Sequence, residues 1–261
     1  MKTQHPMDLT GKVALVTGGS SGIGLGLATG IAKAGGDLVI WGRRADRNEA
    51  AAESLRAFGG RVVAMSVDVS DESAVDEGFQ DAVAEIGRID AVFANAGFFA
   101  PSGPIEDLDM DAYRELIATD QIGVVHTVRG AAAHMIARAR AGDPGGSIVV
   151  TSSAGAISGA PQSAAYASAK GAIISLALSL AIELAPHGIR TNCLVPGFIH
   201  SELVPGGIEG MQEQVKRRTG GVGIADRDAL EGIAIYLTSD SSYYHNGDTI
   251  TIDGGYTIAF A

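Results

Sequence analysis

The chain has 261 residues, 46% of them hydrophobic and 19% charged, with no low-complexity tract, which suits one α/β domain. Nineteen lysines and arginines against thirty aspartates and glutamates give a net charge of −11, a surface that repels nucleic acid and anionic membrane. A single cysteine, Cys193 in the apolar run "TNCLV", excludes an internal disulfide framework and fits a reducing compartment.

The N-terminal "MKTQHPMDLTGK" has no apolar core of a secretion signal, so a cytoplasmic protein is expected. Short β-branched runs then alternate with Ala-rich helical segments. "KVALVT" (12–17) predicts a strand and "GIGLGLATGIAKAG" a helix; "LVIW" (38–41) precedes "ADRNEAAAESLRAF", and "RVVAMSV" (61–67) precedes "DESAVDEGFQDAVAEIG". "DAVFAN" (90–95) leads to one long helix around "MDAYRELIATDQIGVVHTVRGAAAHMIARAR". "GSIVVTS" (146–152) leads to an apolar helix opened by "AAYASAK". The last strands are "IRTNCLV" (189–195) and "DTITID" (248–253), with a helix near 226–238 between them. The apolar stretch 171–185 is short for a bilayer and carries Ser175, Ser179 and Glu183, so it reads as a buried or interface helix. The alternation predicts a single doubly wound Rossmann domain, a seven-stranded parallel sheet with helices on both faces. The piece 198–225, with several glycines and a proline, is long for a connection and reads as a substrate lid.

The turn "VTGGSSGIGLG" places Gly18, Gly22 and Gly24 between the first strand and its helix. Such glycines permit a tight turn and close approach of a phosphate to backbone, while the helix start offers free N–H groups to it. A purely structural turn has the same spacing, and its place at the start of a βαβ unit favours dinucleotide binding. At the end of the second strand, "WGRR" puts Gly42 where a ribose-binding carboxylate would sit, followed by Arg43 and Arg44. A guanidinium matches a 2′-phosphate, so NADP is preferred over NAD, against the reading of two solvated arginines.

Several motifs in order resemble the short-chain dehydrogenase/reductase family in its shorter, single-domain branch. "TGGSSGIG" (17–24), with Ser20, Ser21 and Ile23 among its glycines, resembles the family's cofactor turn. Asp68 and Val69 resemble its adenine contact, and Asn95, Ala96 and Gly97 its mid-sheet motif. Tyr166-x-x-x-Lys170 resembles the active-site signature, with Ser153 upstream at the family's distance. "PGFIHS" (196–201), with Pro196, Gly197, Ile199 and Ser201, resembles the segment that holds the nicotinamide, and "DGGY" (253–256) the usual ending. The resemblance covers nearly the whole chain and implies a homotetramer or homodimer, with the 164–185 helix between subunits.

Taking a hydride from a secondary alcohol requires a base for the hydroxyl proton, and the reverse requires an acid. A free tyrosine, with pKa near 10, is a poor base at neutral pH. A cation one helical turn away favours the phenolate, so Tyr166 reads as acid/base and Lys170 as its electrostatic partner. The resemblance also gives Lys170 the nicotinamide ribose. Ser153, at a strand's carboxyl end, would hydrogen-bond the substrate oxygen. Ser152 and Thr151 are rival hydroxyls, and strand alternation lets only one of two adjacent serines face the site well. The family pattern breaks at "ATDQIG", where Asp120 stands three before Gly123 in place of an asparagine. A carboxylate there would offset part of the Lys170 charge and move alcohol oxidation to higher pH. Ser201 where threonine is common keeps the hydroxyl.

Phe98, Phe99, Gly155, Ala156, Ile157 and the lid would line the substrate pocket, pointing to a hydrophobic small-molecule alcohol or ketone. Two other classes stay open: a cofactor-binding sensor or scaffold, supported only by Asp120, and a non-redox lyase, which would lack the glycine turn and the lysine. The histidines, among them His126, His134, His200 and His245, show no ligand-like cluster, and no metal is expected.

Overall fold

All seven predicted strands form: β1 Val13–Thr17, β2 Asp37–Gly42, β3 Val62–Ser66, β4 Ala91–Ala94, β5 Gly146–Thr151, β6 Ile189–Pro196 and β7 Thr249–Ile252. The computed structural model describes residues 5–100, 103–201 and 209–259. The strands lie parallel in one sheet, in the order β3-β2-β1-β4-β5-β6-β7. The inner strands β1 and β4 are buried along their whole length, as near-continuous apolar runs covered on both faces must be. Their residues alternate between two cores: Leu15 and Val92 join Trp41 and Phe79 on one face, whereas Val16 and Phe93 join Leu27 and Ile31 on the other. Each such buried side chain contributes about 1.5–3 kcal/mol relative to exposure. Between β1 and β4 the strand order reverses, which opens a crevice at the carboxyl ends where such sheets take their ligands.

The helices are α1 Gly22–Lys33, α2 Ala45–Arg56, α3 Glu72–Ile86, α4 Met110–Ile117, α5 Gly123–Arg140, α6 Ala164–Glu183, α7 Gln212–Arg218 and α8 Glu231–Thr238. α3 starts at Asp71, whose carboxylate accepts the N–H groups of Ser73 and Ala74, the expected cap. The single long helix predicted over the "MDAYRELIATDQ" region is instead α4 and α5 joined by a widened π-type turn, Ala118–Ile122, which carries Asp120. Such one-turn expansions concentrate at functional sites.

The apolar helix opens at Ala164 as read, and α6 runs for 20 residues. As a whole it is long and apolar enough by length and composition to cross a membrane, so the shortness argued from 171–185 taken alone does not hold. One stripe of it, Ala165, Ala169, Ile173, Ala177 and Ala181, is buried in the fold, because residues four apart share a face. Its other face leaves Leu178 and Ile182 exposed, at 46% and 78%.

Of the segment read as a lid, 202–208 lies outside the described residues. Its later part forms α7, whose Val215 is buried with Ile224 and Tyr256, and the Phe198 and Tyr256 rings meet edge to face at 4.9 Å.

Candidate active site

The glycine turn leaves β1 with Gly18 in the left-handed region, φ +66°, and a Cβ there would stand 3.1 Å from Asn95 Nδ2 and 3.2 Å from Ala96 Cα. α1 then begins at Ser21 without a side-chain cap, leaving its first N–H groups free for an anion. A cavity of about 460 Å³ opens here, lined by Gly18, Ser20, Ser21, Gly22, Ile23 and Gly24. Arg43, Arg44, Asp68 and Val69 also line it, as do Asn95, Ala96, Gly97, Phe98, Asp120, Tyr166, Lys170 and Ser201. A bare backbone cradle, an uncapped helix start and two arginines in one cavity fit a phosphorylated dinucleotide.

The sequence reading missed Thr17, at the end of β1. Its hydroxyl accepts the N–H groups of Asn95 and Ala96, both at 2.9 Å, and Asn95 Nδ2 donates to the Thr17 carbonyl at 3.0 Å. These bonds pin the Asn-Ala-Gly segment to the neighbouring strand. No sequence signal marks them, since the partners lie far apart in the chain.

α6 presents Tyr166 and Lys170 to the same cavity, both nearly buried at 8% and 3% exposure. Lys170 Nζ lies 5.9 Å from the Tyr166 ring centroid, donates to the Thr151 carbonyl at 3.2 Å, and stands 3.2 Å from Asp120 Oδ2. Gly97 lets them pack: a Cβ there would stand 2.7 Å from Asp120 Oδ2 and 2.9 Å from Lys170 Nζ. Asp120 Oδ1 accepts the Phe98 N–H at 2.9 Å.

Burial would lower the Lys170 pKa, but the charges of Asp120 and Tyr166 outweigh it and hold the ammonium above its ordinary value. Asp120 is also raised, because burial outweighs the pull of Lys170 and the Phe98 N–H. The partners of an exposed pair would shift in opposite directions; here desolvation of a fully buried carboxyl reverses the aspartate's sign. Lys170 stays charged, facing a carboxyl whose ionisation burial opposes. Burial pushes the Cys193 thiol up to about 11, so it stays protonated as a small core residue.

The two serines take different surroundings: Ser152, with Thr151, lines the cavity, and Ser153 does not. Ser152 is 3% exposed and its hydroxyl is spent on the Lys170 carbonyl at 2.7 Å. Ser153 is half-buried, and its Oγ accepts the Gly155 N–H at 3.1 Å. A Cβ on Gly155 would stand 3.5 Å from Ser153 Oγ and 3.7 Å from the Tyr166 ring, so this glycine keeps the space beside both open. Phe99 covers the Tyr166 ring edge to face at 5.2 Å, within a cluster that includes Phe98 and Leu116. Ile157 is 47% exposed.

The exit from β6 is less direct. Ser201 lies over the glycine turn, where a Cβ on Gly22 would come within 2.8 Å of its own. Pro196 ends β6, Gly197 packs on Asp253 and Ile199 bridges to Ala225; these three support Ser201 and do not line the cavity.

A family model described as enoyl-(acyl carrier protein) reductase matches residues 18–257. The chain is 36% identical over 252 residues to sorbose reductase of Schizosaccharomyces pombe, covering 95% of this chain and 96% of that one. It is 35% identical to an NADP-dependent (R)-specific alcohol dehydrogenase of Lentilactobacillus kefiri, covering 95% and 98%. The crystal structure of 3-ketoacyl-(acyl-carrier-protein) reductase from Brucella melitensis, complexed with NADH, superposes with a TM-score of 0.88 at 29% identity, covering 95% and 99%. The chain belongs to the short-chain dehydrogenase/reductase family and is a nicotinamide-dependent oxidoreductase.

Proposed function

We propose that the protein interconverts a hydrophobic secondary alcohol and its ketone, with NADP preferred over NAD. The observation that carries this reading is Lys170, buried and charged between the Tyr166 ring and Asp120 at one cavity with the glycine turn. A nicotinamide held at the glycine turn, Asn95–Gly97 and Lys170 would supply the hydride for ketone reduction and accept it in alcohol oxidation. In reduction, the Tyr166 hydroxyl gives its proton to the carbonyl oxygen as negative charge develops there, while the Ser153 hydroxyl donates a hydrogen bond to that oxygen. Lys170 steadies the phenolate left behind, and in oxidation the phenolate takes the alcohol proton back. Phe98 and Phe99 keep water from the Tyr166 ring and give the substrate an apolar wall.

Arg43 and Arg44 carry the cofactor preference. Both are exposed on the cavity, neither has an ion pair among the described residues, and Gly42 offers no carboxylate to repel a 2′-phosphate. The apolar residues around Tyr166 favour a ring alcohol or aliphatic ketone over a sugar phosphate. The Leu178 and Ile182 face of α6 supports assembly of the chain with copies of itself.

The test is titration calorimetry of the cofactor-free protein with NADPH and NADH, followed by NADPH consumption with a panel of cyclic and aliphatic ketones. The expected result is tighter NADPH binding and turnover of at least one ketone. Tighter NADH binding would overturn the arginine assignment, and binding without turnover across the panel would overturn the substrate class.

A further inference from the structure

We propose that Asn48 is a specificity-determining residue. It bars a side chain from position 42 and so leaves the adenosine end of the cavity to Arg43 and Arg44. The proposal deepens the cofactor reading above and rests on it.

Asn48 stands in the first turn of α2 and is 1% exposed, on the same helix stripe as Ala51, Ala52 and Leu55. A buried amide on such a stripe is costly unless its polar atoms are engaged. Its Nδ2 donates to the Gly42 carbonyl at 2.8 Å and the Met65 carbonyl at 2.9 Å, tying together the carboxyl ends of β2 and β3. Both partners are acceptors, so the amide has one orientation: a flip would set its oxygen against two carbonyls.

That orientation aims Oδ1 at position 42. A Cβ on Gly42 would stand 2.5 Å from Asn48 Oδ1, 3.4 Å from Asn48 Cγ and 3.3 Å from Ser20 Oγ. The first distance is below what real Cβ atoms show, and Oδ1 leaves it only by breaking both Nδ2 bonds. Oδ1 is itself buried and accepts no hydrogen bond among the described residues. The amide is held by its nitrogen, and its oxygen fills the space of a side chain.

In sheets of this kind a carboxylate at the end of the second strand binds the adenine ribose hydroxyls and repels a 2′-phosphate. Asn48 closes that place. The arginines attract the phosphate, and Asn48 prevents the residue before them from acquiring a group that would reject it. Asn48 acts through position 42 and does not line the cavity.

The test is a double-mutant cycle of Gly42→Asp and Asn48→Ala, read as the dissociation constants of NADPH and NADH by calorimetry. Folding of each variant is checked through the fluorescence of the sole tryptophan, Trp41, which is buried and lines the cavity. Gly42→Asp alone is expected to weaken both cofactors by about tenfold or more, because the new side chain meets Oδ1. Adding Asn48→Ala is expected to tighten NADH by about tenfold over Gly42→Asp alone and to reverse the preference, a shift that general loosening of the fold would not produce. If Asn48→Ala does not fold, Asn48→Ser, which keeps a hydroxyl for one carbonyl, takes its place with the same expectation. The proposal is overturned if Gly42→Asp alone tightens NADH, or if the double variant binds NADH no better than Gly42→Asp. A wild-type preference for NADH would instead overturn the cofactor reading, while the coupling between positions 42 and 48 still decides the role of Asn48.

Discussion

Two buried carboxylates, at opposite ends of the sheet, meet cations in different ways. Asp90, at the amino edge before β4, accepts the Val13 N–H at 3.0 Å and two nitrogens of Arg88, the shorter bond at 2.5 Å. Arg138 adds a second guanidinium at 3.3 Å. Both oxygens of Asp90 are engaged by donors fixed to neighbouring elements. Asp120, at the carboxyl edge, has one aligned bond, from Phe98 N–H; its Oδ2 faces Lys170 at 3.2 Å without an aligned donor among the described residues. A completed network rigidifies the fold, whereas a buried charge left half-satisfied is tolerated where the chemistry uses it. The amino edge ties the sheet to its neighbours, and on the proposed mechanism the carboxyl edge holds charge for a proton transfer.

The largest effect that bears on this contrast is at Tyr166. Tyr166→Phe removes the proton donor and is expected to lower kcat/KM by about 10³, read from initial rates of ketone reduction. A loss under tenfold would mean that another group donates the proton.

Asp90→Ala should act on stability alone. It leaves the buried Val13 N–H without its acceptor and takes the carboxylate from Arg88, while Arg138 keeps Asp143 and the Ile89 carbonyl, and is expected to cost about 2 kcal/mol in urea denaturation. The pH dependence of turnover should not move. An unaltered midpoint would break the contrast from the structural side.

Asp120→Asn comes next. Removing the negative charge 3.2 Å from Lys170 leaves a larger net positive charge beside Tyr166 and favours the phenolate. The acid limb of alcohol oxidation is expected to move to lower pH, read from the pH–rate profile.

The smallest effect is at His134, near the amino edge, whose Nε2 accepts the Ile89 N–H at 3.2 Å. Burial, with help from Arg138, lowers its pKa, so the neutral ring is the native form. Because the folded value lies below the unfolded one, its stabilisation is present above the ordinary histidine range and is lost as pH falls through the folded value. His134→Gln should flatten the acid-side fall in stability by about a few tenths of a kcal/mol, given a half-exposed ring screened by solvent. Urea midpoints compared at neutral and mildly acidic pH check it.

Much of this architecture was legible in the chain. β-Branched runs such as "VALVT" and "IVVT" mark strands buried on both faces, and the Tyr166–Lys170 spacing already places both groups on one helix face. Strand alternation said only that Ser152 and Ser153 differ, and the choice of Ser153 rested on the family spacing; in the structure the Ser152 hydroxyl donates to the Lys170 carbonyl and Ser153 Oγ accepts the Gly155 N–H. The widened turn at Ala118–Ile122 was not legible, because adding one residue to a helical turn leaves no mark in composition. Nor was the part played by Thr17, whose bonds reach residues brought near only by strand pairing. Asn48 shows an intermediate case. An amide interrupting the stripe of Ala51, Ala52 and Leu55 is a visible irregularity, but its partners Gly42 and Met65 come together only at the sheet edge. At α6 the helix from Ala164 was legible, but the bilayer argument weighed 171–185 by itself, and the small residues before it complete an apolar helix of spanning length.

The most direct test of the contrast is the pH–rate profile of oxidation of a secondary alcohol, measured for the wild type, Asp90→Asn and Asp120→Asn under saturating cofactor. The account predicts an Asp90→Asn profile that superposes on the wild type and an Asp120→Asn profile whose acid limb lies at lower pH. Superposition of all three profiles, or an equal shift in both variants, would contradict it.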